Sequence, residues 1–455
     1  MDLLGVRALP FLARRNYYYE FKHLVLWSVC AALVEGQFAS VIVSKTFNGS
    51  ERLIAVAAAT PIGAQIFSLL WGMLCIGRPK VALAGLFAAG ITLCVGMTAA
   101  IPASPTGAVW FVAQMAAAQV LLAGLNTVRS AFWKSNYPTR VRGMVAARLH
   151  GVRFVMSVVT VLAASAACDR DPSSYRFIFP CAALAGVCGA ALLGRLHIRG
   201  ERRQLATKSG ALTVGEEQAR IVEPFDLSVL LSPGHVLGQM IQVLRDDRRF
   251  ARYCTAQLFS GLANLMTVSV IVAVITRDLS AGETQGFWIS TALIIALPRV
   301  VMLGSLRRWG ALFDRLAVVR FRVVNVTCWT ATLALGLAAT LVTVSSPNPS
   351  PGRFLAGVGL FVLRALVYGL AVGGGQLAWS IGHLYFAAPE RAEIYMGIHV
   401  SLTGLRGLIA PLVGMWLWKE IGFGVWLIAI GLSLLSLFLY AWLARVERRE
   451  GVAGW

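Results

Sequence analysis

The chain has 455 residues, of which 57% are hydrophobic and only 14% charged, with a formal net charge of +20 and a mean hydropathy of +0.70. So few polar side chains cannot cover a water-soluble globule, and the bilayer is the solvent the composition implies. A charge of +20 would point to nucleic acid in a soluble protein. In a membrane chain it reports orientation instead, and no nucleic-acid partner is expected.

Apolar runs of about 20 residues, long enough for a hydrocarbon core ~30 Å thick, recur along the sequence. They predict spans at 23–43, 52–76, 81–101, 106–133, 143–167, 175–196, 250–276, 284–306, 322–345, 353–380, 394–418 and 421–444. The first 22 residues hold Arg7, Arg14, Arg15 and Lys22 and no long apolar stretch, so the first span itself serves as the insertion signal. That span carries Glu35 about twelve residues in, the one carboxylate expected deep in a span. The second closes on "WGMLCIGRPK", with Gly72, Gly77, Arg78 and Lys80. The fourth carries a polar stripe of Gln119, Asn126, Ser130 and Trp133. On the fifth, His150, Arg153, Ser157 and Thr160 share one face.

Residues 197–249 leave the membrane pattern and read as a cytoplasmic linker between halves at 1–196 and 250–455. Ser232-Pro233-Gly234 breaks the chain, after which Val236, Leu237, Met240, Ile241 and Leu244 recur at helical spacing. This predicts an amphipathic helix at the membrane surface or the cytoplasmic face, with Arg245, Arg248 and Arg249 near lipid headgroups.

The second half repeats the first. The stretch from Phe250 to Val272 aligns without a gap to that from Phe21 to Val43, sharing the opening Phe and a closing Ser-Val-Ile-Val, and it sets Asn264 where the first span has Glu35. Gln257, Gly261 and Asn264 make its polar stripe. The eighth span ends on "WGALFDR", beginning as the second span's end does with Trp-Gly-x-Leu, and the tenth is rich in glycine at Gly369, Gly373, Gly374 and Gly375. The eleventh repeats the fifth's Leu-x-Gly-x-Arg, "LHGVR" at 149–153 becoming "LTGLR" at 402–406, and aligns His399, Thr403 and Arg406 on one face. Arg153 and Arg406, ten to twelve residues into their spans, form a symmetric pair near the midplane.

About 29 of the 41 basic residues fall at the termini and in the even-numbered loops, and about 7 in the odd-numbered ones, which predicts cytoplasmic termini in a prokaryotic inner membrane. Five more, Arg129, Arg153, Arg299, Arg364 and Arg406, lie inside spans. Arg129 and Arg299, close to span ends, are expected to snorkel to the interface. The eight cysteines are scattered without metal-ligand spacing, and neither metal nor cofactor is expected.

Two repeats of six spans resemble the major facilitator superfamily over the whole chain. "GALFDRLAVVR", from Gly310 to Arg320, is similar to that family's loop signature, a Gly-x-Leu-x-Asp-Arg followed by basic residues. The first-half copy at Gly72 to Lys80 is shortened and lacks the Asp. The resemblance implies an all-α fold of twelve transmembrane helices in two pseudo-symmetric six-helix bundles. It also implies a central cavity from which spans three, six, nine and twelve are excluded, and a latch in which Asp314 and Arg315, with Gly310, Gly72 and Arg78, close the cytoplasmic end. Function is expected at Glu35, Arg153, Arg406, Asn264, Asn126 and His399, since intramembrane polar groups are costly and usually face a cavity. The reading is a monomeric, non-enzymatic secondary carrier of a small anionic or zwitterionic solute, coupled to protons through Glu35. The alternative is a transporter-like receptor or assembly factor that no longer transports. Among sequence motifs there is no His-Glu-x-x-His, Gly-x-Ser-x-Gly or phosphate loop, so neither hydrolysis nor ATP-driven transport is expected.

Overall fold

The structure, a computed structural model, describes residues 10–68, 70–71, 78–137, 139–198, 233–280, 286–344, 351–386 and 392–450. Regular structure among them is helical, as lipid demands of a chain that must satisfy every backbone N–H and C=O internally. Ten helices are long and apolar enough to cross a membrane, and an eleventh span is a bent pair.

That pair replaces the first predicted span. Helix α1, Phe11–Val34, stops at Glu35, and α2, Phe38–Lys45, resumes at an angle of 46°. The break follows from Gly36, whose φ of +76° belongs to the left-handed region where a Cβ is strained. A single continuous span at 23–43 is therefore corrected: α1 begins twelve residues earlier and the helix breaks at the Glu-Gly-Gln triplet. Next comes α3, Glu51–Gly63, capped by the Ser50 hydroxyl accepting from the Leu53 N–H at 3.3 Å and continued by a tight turn at Ala64–Phe67. Gly72 and most of the "WGMLCIG" stretch lie outside the described residues, as do 199–232 of the linker.

The remaining spans follow the predicted order. They are α4 (Lys80–Gly96), α5 (Pro105–Asn136), α6 (Thr139–Arg170), α7 (Tyr175–Leu193), α9 (Arg248–Ala273) with a wide turn at Val274–Leu279, and α10 (Gly286–Thr291), joined through Ala292–Ala296 to α11 (Leu297–Arg315). The last four are α12 (Val318–Val344), α13 (Pro351–Ile381), α14 (Ala392–Ile421) and α15 (Gly424–Arg449). The linker helix α8, Pro233–Asp246, lays Met240, Val243 and Leu244 on the apolar cluster around Phe250 and Tyr440. Arg249, expected near lipid headgroups, instead donates to the Glu447 carboxylate at 2.7 Å. A guanidinium within reach of a carboxylate that is 2% exposed pairs with it rather than with water.

The duplication shows in packing. Trp71, ahead of α4, sets its ring edge-on to Phe87 at 4.9 Å, and Trp309 of α11 does the same to Phe321 of α12 at 5.4 Å. The repeated Trp is thus an aromatic wedge at matching places in the two bundles. Leu86 and Leu93 of α4, Phe177 and Leu184 of α7, Leu341 of α12 and Phe438 of α15 stay exposed, an apolar outer surface suited to lipid tails. The chain is an integral membrane protein of two six-helix bundles.

Candidate functional site

A cavity of about 580 Å³ lies between the bundles, lined from the first by Asn126, Arg129, His150 and Arg153 and from the second by Gln257, Asn264, Arg322 and Arg406. Trp329, Tyr368 and Trp379 add an aromatic wall. Four arginines and no carboxylate line it among the described residues. None of the lining comes from α4, α7 or α15, whereas α12, expected on the lipid side, contributes Arg322 and Trp329.

The broken first span organises the first-half wall. Ending α1 at Val34 leaves helix-terminal carbonyls without partners, and the Gln119 amide of α5 donates to the Val34 carbonyl. Glu35, the next residue, pairs with Arg153 of α6. Arg299 of α11 approaches the same break, donating to the Ser157 hydroxyl. A Cβ on Gly36 would stand 2.9 Å from its guanidinium, so glycine supplies both the turn and the room. The snorkelling expected for Arg299 is corrected: its guanidinium crosses to the other bundle.

Arg129 is corrected too. Because α5 runs on to Asn136, Arg129 lies inside the protein, 9% exposed, and donates to Glu20 at 3.3 Å. Glu20 also accepts from the Tyr137 hydroxyl at 2.7 Å. Sequence reasoning missed this carboxylate, because the first span was begun after it. The run Asn16-Tyr17-Tyr18-Tyr19-Glu20 continues the helical register of Trp27 upstream and was the available signal. His23, also missed, sits beside it with Nδ1 2.8 Å from the Gly189 carbonyl.

The second-half wall is cationic without an acid. Arg406 donates to the Gln257 carbonyl at 2.8 Å and to the Thr403 hydroxyl at 3.0 Å, and its buried Nε has no partner among the described residues. The guanidinium lies over Gly261, where a Cβ would collide with it. Asn264 donates to the Ser260 carbonyl at 2.7 Å, so it does not hold Arg406 as Glu35 holds Arg153. His399 is buried behind the wall, with its Nε2 3.5 Å from the Gln257 amide and its ring against Trp379, and it does not line the cavity. Arg322, at the start of the ninth predicted span, is buried in α12 and donates to the Tyr440 hydroxyl at 3.2 Å and to the side-chain Oδ1 of Asn325 at 3.0 Å. It lies inside the helix because α12 starts earlier, at Val318.

Beyond the break, at the end away from the termini, hydrogen bonds tie the bundles together. The Ser44 and Thr276 hydroxyls are 2.6 Å apart, and Lys45 donates to the Ser280 carbonyl at 2.9 Å. Arg277 donates to the Gly49 carbonyl, and Glu51 lies 3.3 Å from the Lys419 ammonium. Asp169 at the end of α6 accepts from the Phe287 and Trp288 N–H groups of α10 at 2.7 and 2.9 Å. A carboxylate there satisfies orphan donors and is favoured by the helix dipole. At the opposite end Asp314 and Arg315 are exposed, Asp314 making no hydrogen bond or ion pair among the described residues, and Gly310 and Arg78 lie at the surface nearby in sequence to them or to Lys80.

Neither protein-family profiles nor the curated proteins match this sequence. Solved structures do match in three dimensions. A mutant of the nucleoside transporter NupG superposes with a TM-score of 0.64 at 14% identity, covering 95% of this chain and 99% of that one. A D-xylose-proton symporter gives 0.63 at 14% identity over 93% and 96%. XylE from E. coli, an inward-open xylose transporter, gives 0.61 at 13% identity over 93% and 95%. The chain shares the fold of these transporters. At such low identity the superposition carries the architecture of this fold and not the chemistry of its cavity, which rests on the residues above.

Proposed function

We propose that the chain is a secondary carrier that moves a small organic anion by alternating access, with proton exchange at Glu35. The observation that carries this reading is that Arg406 and Arg322 line the cavity with neutral partners only among the described residues, whereas Arg129 and Arg153 already hold Glu20 and Glu35. Buried cations are costly unless paired, and a solute anion supplies the missing charge. The structural neighbours, a nucleoside transporter and a D-xylose-proton symporter, support carriage of a small solute as the general activity.

In this reading the bundles 1–196 and 250–455 rock about the cavity, joined by the linker 197–249, and the protein works as a monomer with both termini in the cytoplasm beneath an inner membrane. The solute's anionic group meets Arg406 and Arg322, with Asn264, Asn126 and the aromatic wall holding its body. A second contact to Arg153 competes with Glu35. A carboxylate that loses its cation in a low-dielectric site takes up a proton, so anion entry and protonation of Glu35 go together. His399 stays a positioning group for Gln257. The bonds at Asp169, Glu51 and Ser44 close the far end, and Asp314 and Arg315, with Gly310, Gly72 and Arg78, close the terminal end when the bundles rock back.

The test uses protein reconstituted in vesicles loaded with a pH dye and challenged with pools of carboxylates, organic phosphates, pentoses and nucleosides. The expected outcome is an internal pH change with an anionic pool, absent in Glu35→Gln. A response to neutral pentoses or nucleosides alone would sink the anion assignment. Solute binding by thermal shift with no flux in any pool would favour a receptor.

A further inference from the structure

A second cavity, of about 480 Å³, lies away from the transport site. It arises from packing: α11 and α12 each pack along α13 and meet one another chiefly where Trp309 and Phe313 stand against Phe321, leaving a groove between them that Leu370 of α13 also lines. Val301, Gly304, Trp309 and Leu312 of α11 form one wall and Cys328 of α12 the other. At 1.5 Å per residue the wall from Val301 to Leu312 runs for about 16 Å along the helix. Gly304 keeps the groove wide, since a Cβ there would meet nothing within 4 Å. Arg308 is exposed at the rim.

We propose that this groove binds one acyl chain of an anionic phospholipid, with the headgroup phosphate held by Arg308. In an integral membrane protein, a long apolar groove open to the side is filled by a lipid tail. A tail gains no hydrophobic free energy by leaving other tails for an apolar wall, so shape and charge must decide which lipid stays. The charge is set by the rim. Arg308 can place its methylene stem along the wall and its guanidinium at the headgroup, where the planar fork donates to two phosphate oxygens. Arg307, Arg315 and Arg320 are close by in sequence, with Asp314 the one acid among them, so a headgroup lacking a compensating ammonium is favoured. A lipid seated here packs directly before Gly310 and Asp314, and so steadies the end of α11 that carries the latch.

The test is native mass spectrometry of the detergent-purified full chain, exposed to equal amounts of phosphatidylglycerol and phosphatidylcholine with identical tails. Wild type is expected to retain phosphatidylglycerol several-fold over phosphatidylcholine. Arg308→Gln should lose that preference, Arg308→Lys should keep part of it, and Arg307→Gln, with the same change of net charge outside the groove, should lose much less of it than Arg308→Gln. Gly304→Leu, which fills the groove, should reduce retention of both lipids. Monodisperse elution of every variant guards against misfolding. Equal loss in Arg307→Gln and Arg308→Gln, unchanged retention in Gly304→Leu, or displacement of the lipid by millimolar inorganic phosphate alone would overturn the assignment.

Discussion

Arg153 and Arg406 come from the same position of a duplicated six-helix unit, yet their surroundings differ. Arg153 meets the Glu35 carboxylate, freed by the break between α1 and α2, whereas Arg406 meets the Gln257 carbonyl and the Thr403 hydroxyl beside an unbroken α9. One half therefore holds a neutral ion pair and the other a cation with neutral partners. The difference teaches how a symmetric scaffold can acquire a directional site. A single acid at a helix break can exchange its partner, and the opposite arginine stays ready for a solute.

The comparison can be broken most forcefully at the ion pair. Replacing Glu35 by Ala leaves Arg153 without its carboxylate, and because the pair is only partly buried the loss costs somewhat less than the about 3–5 kcal/mol of a fully buried pair. Thermal unfolding in detergent should show a large drop, with Glu35→Gln much milder because it retains a hydrogen-bond acceptor. Equal melting of the Ala variant and wild type would mean that the pair does not hold the break.

The next effect in size is on solute affinity. Removing charge-assisted bonds worth about 1.5–3 kcal/mol, Arg406→Gln should weaken binding of the transported anion roughly 10- to 100-fold in isothermal titration. Asn264→Asp sharpens the same point by giving the second half an acid where the first has one. It should reduce anion affinity while leaving the fold intact, and unchanged affinity would show that the charge balance of the cavity does not select the solute.

Smaller again is the helix cap across the bundles. Asp169→Asn keeps an acceptor but loses the charge that favours the α10 N-terminus, an effect of about 0.3–1 kcal/mol. This corresponds to a two- to several-fold rise in labelling of a cysteine placed in the cavity by a reagent added from the far side. Asp314→Asn should leave that labelling unchanged from wild type, because Asp314 makes no hydrogen bond or ion pair among the described residues. If both variants respond alike, the two ends are not independent closures.

Much of this architecture was legible without coordinates. Long apolar runs fix helices wherever lipid is the solvent, because no other local structure satisfies the backbone there. The shared Trp-Gly-x-Leu and Leu-x-Gly-x-Arg segments exposed the duplication, since equivalent packing needs equivalent residues. Arg153, Arg406, Asn126 and Asn264, singled out by depth in their spans, by the repeat and by the cavity that the resemblance implied, line the cavity, whereas Glu35 and His399 do not. Less legible were the ends of helices. Glu20 and Arg129 were misplaced because hydropathy marks where a helix is apolar and not where its hydrogen bonds stop.

The sequence by itself thus determined the solvent, the order of the spans and the repeat, all of which depend on local composition and helical period. The tertiary structure alone decided who partners whom. That Glu35 meets Arg153 while Arg406 meets no acid among the described residues, that Arg129 turns inward to Glu20, and that the far end closes through Asp169 depend on contacts more than a hundred residues apart in the chain. Such contacts arise from how helices pack and where one of them breaks, and no local pattern encodes them.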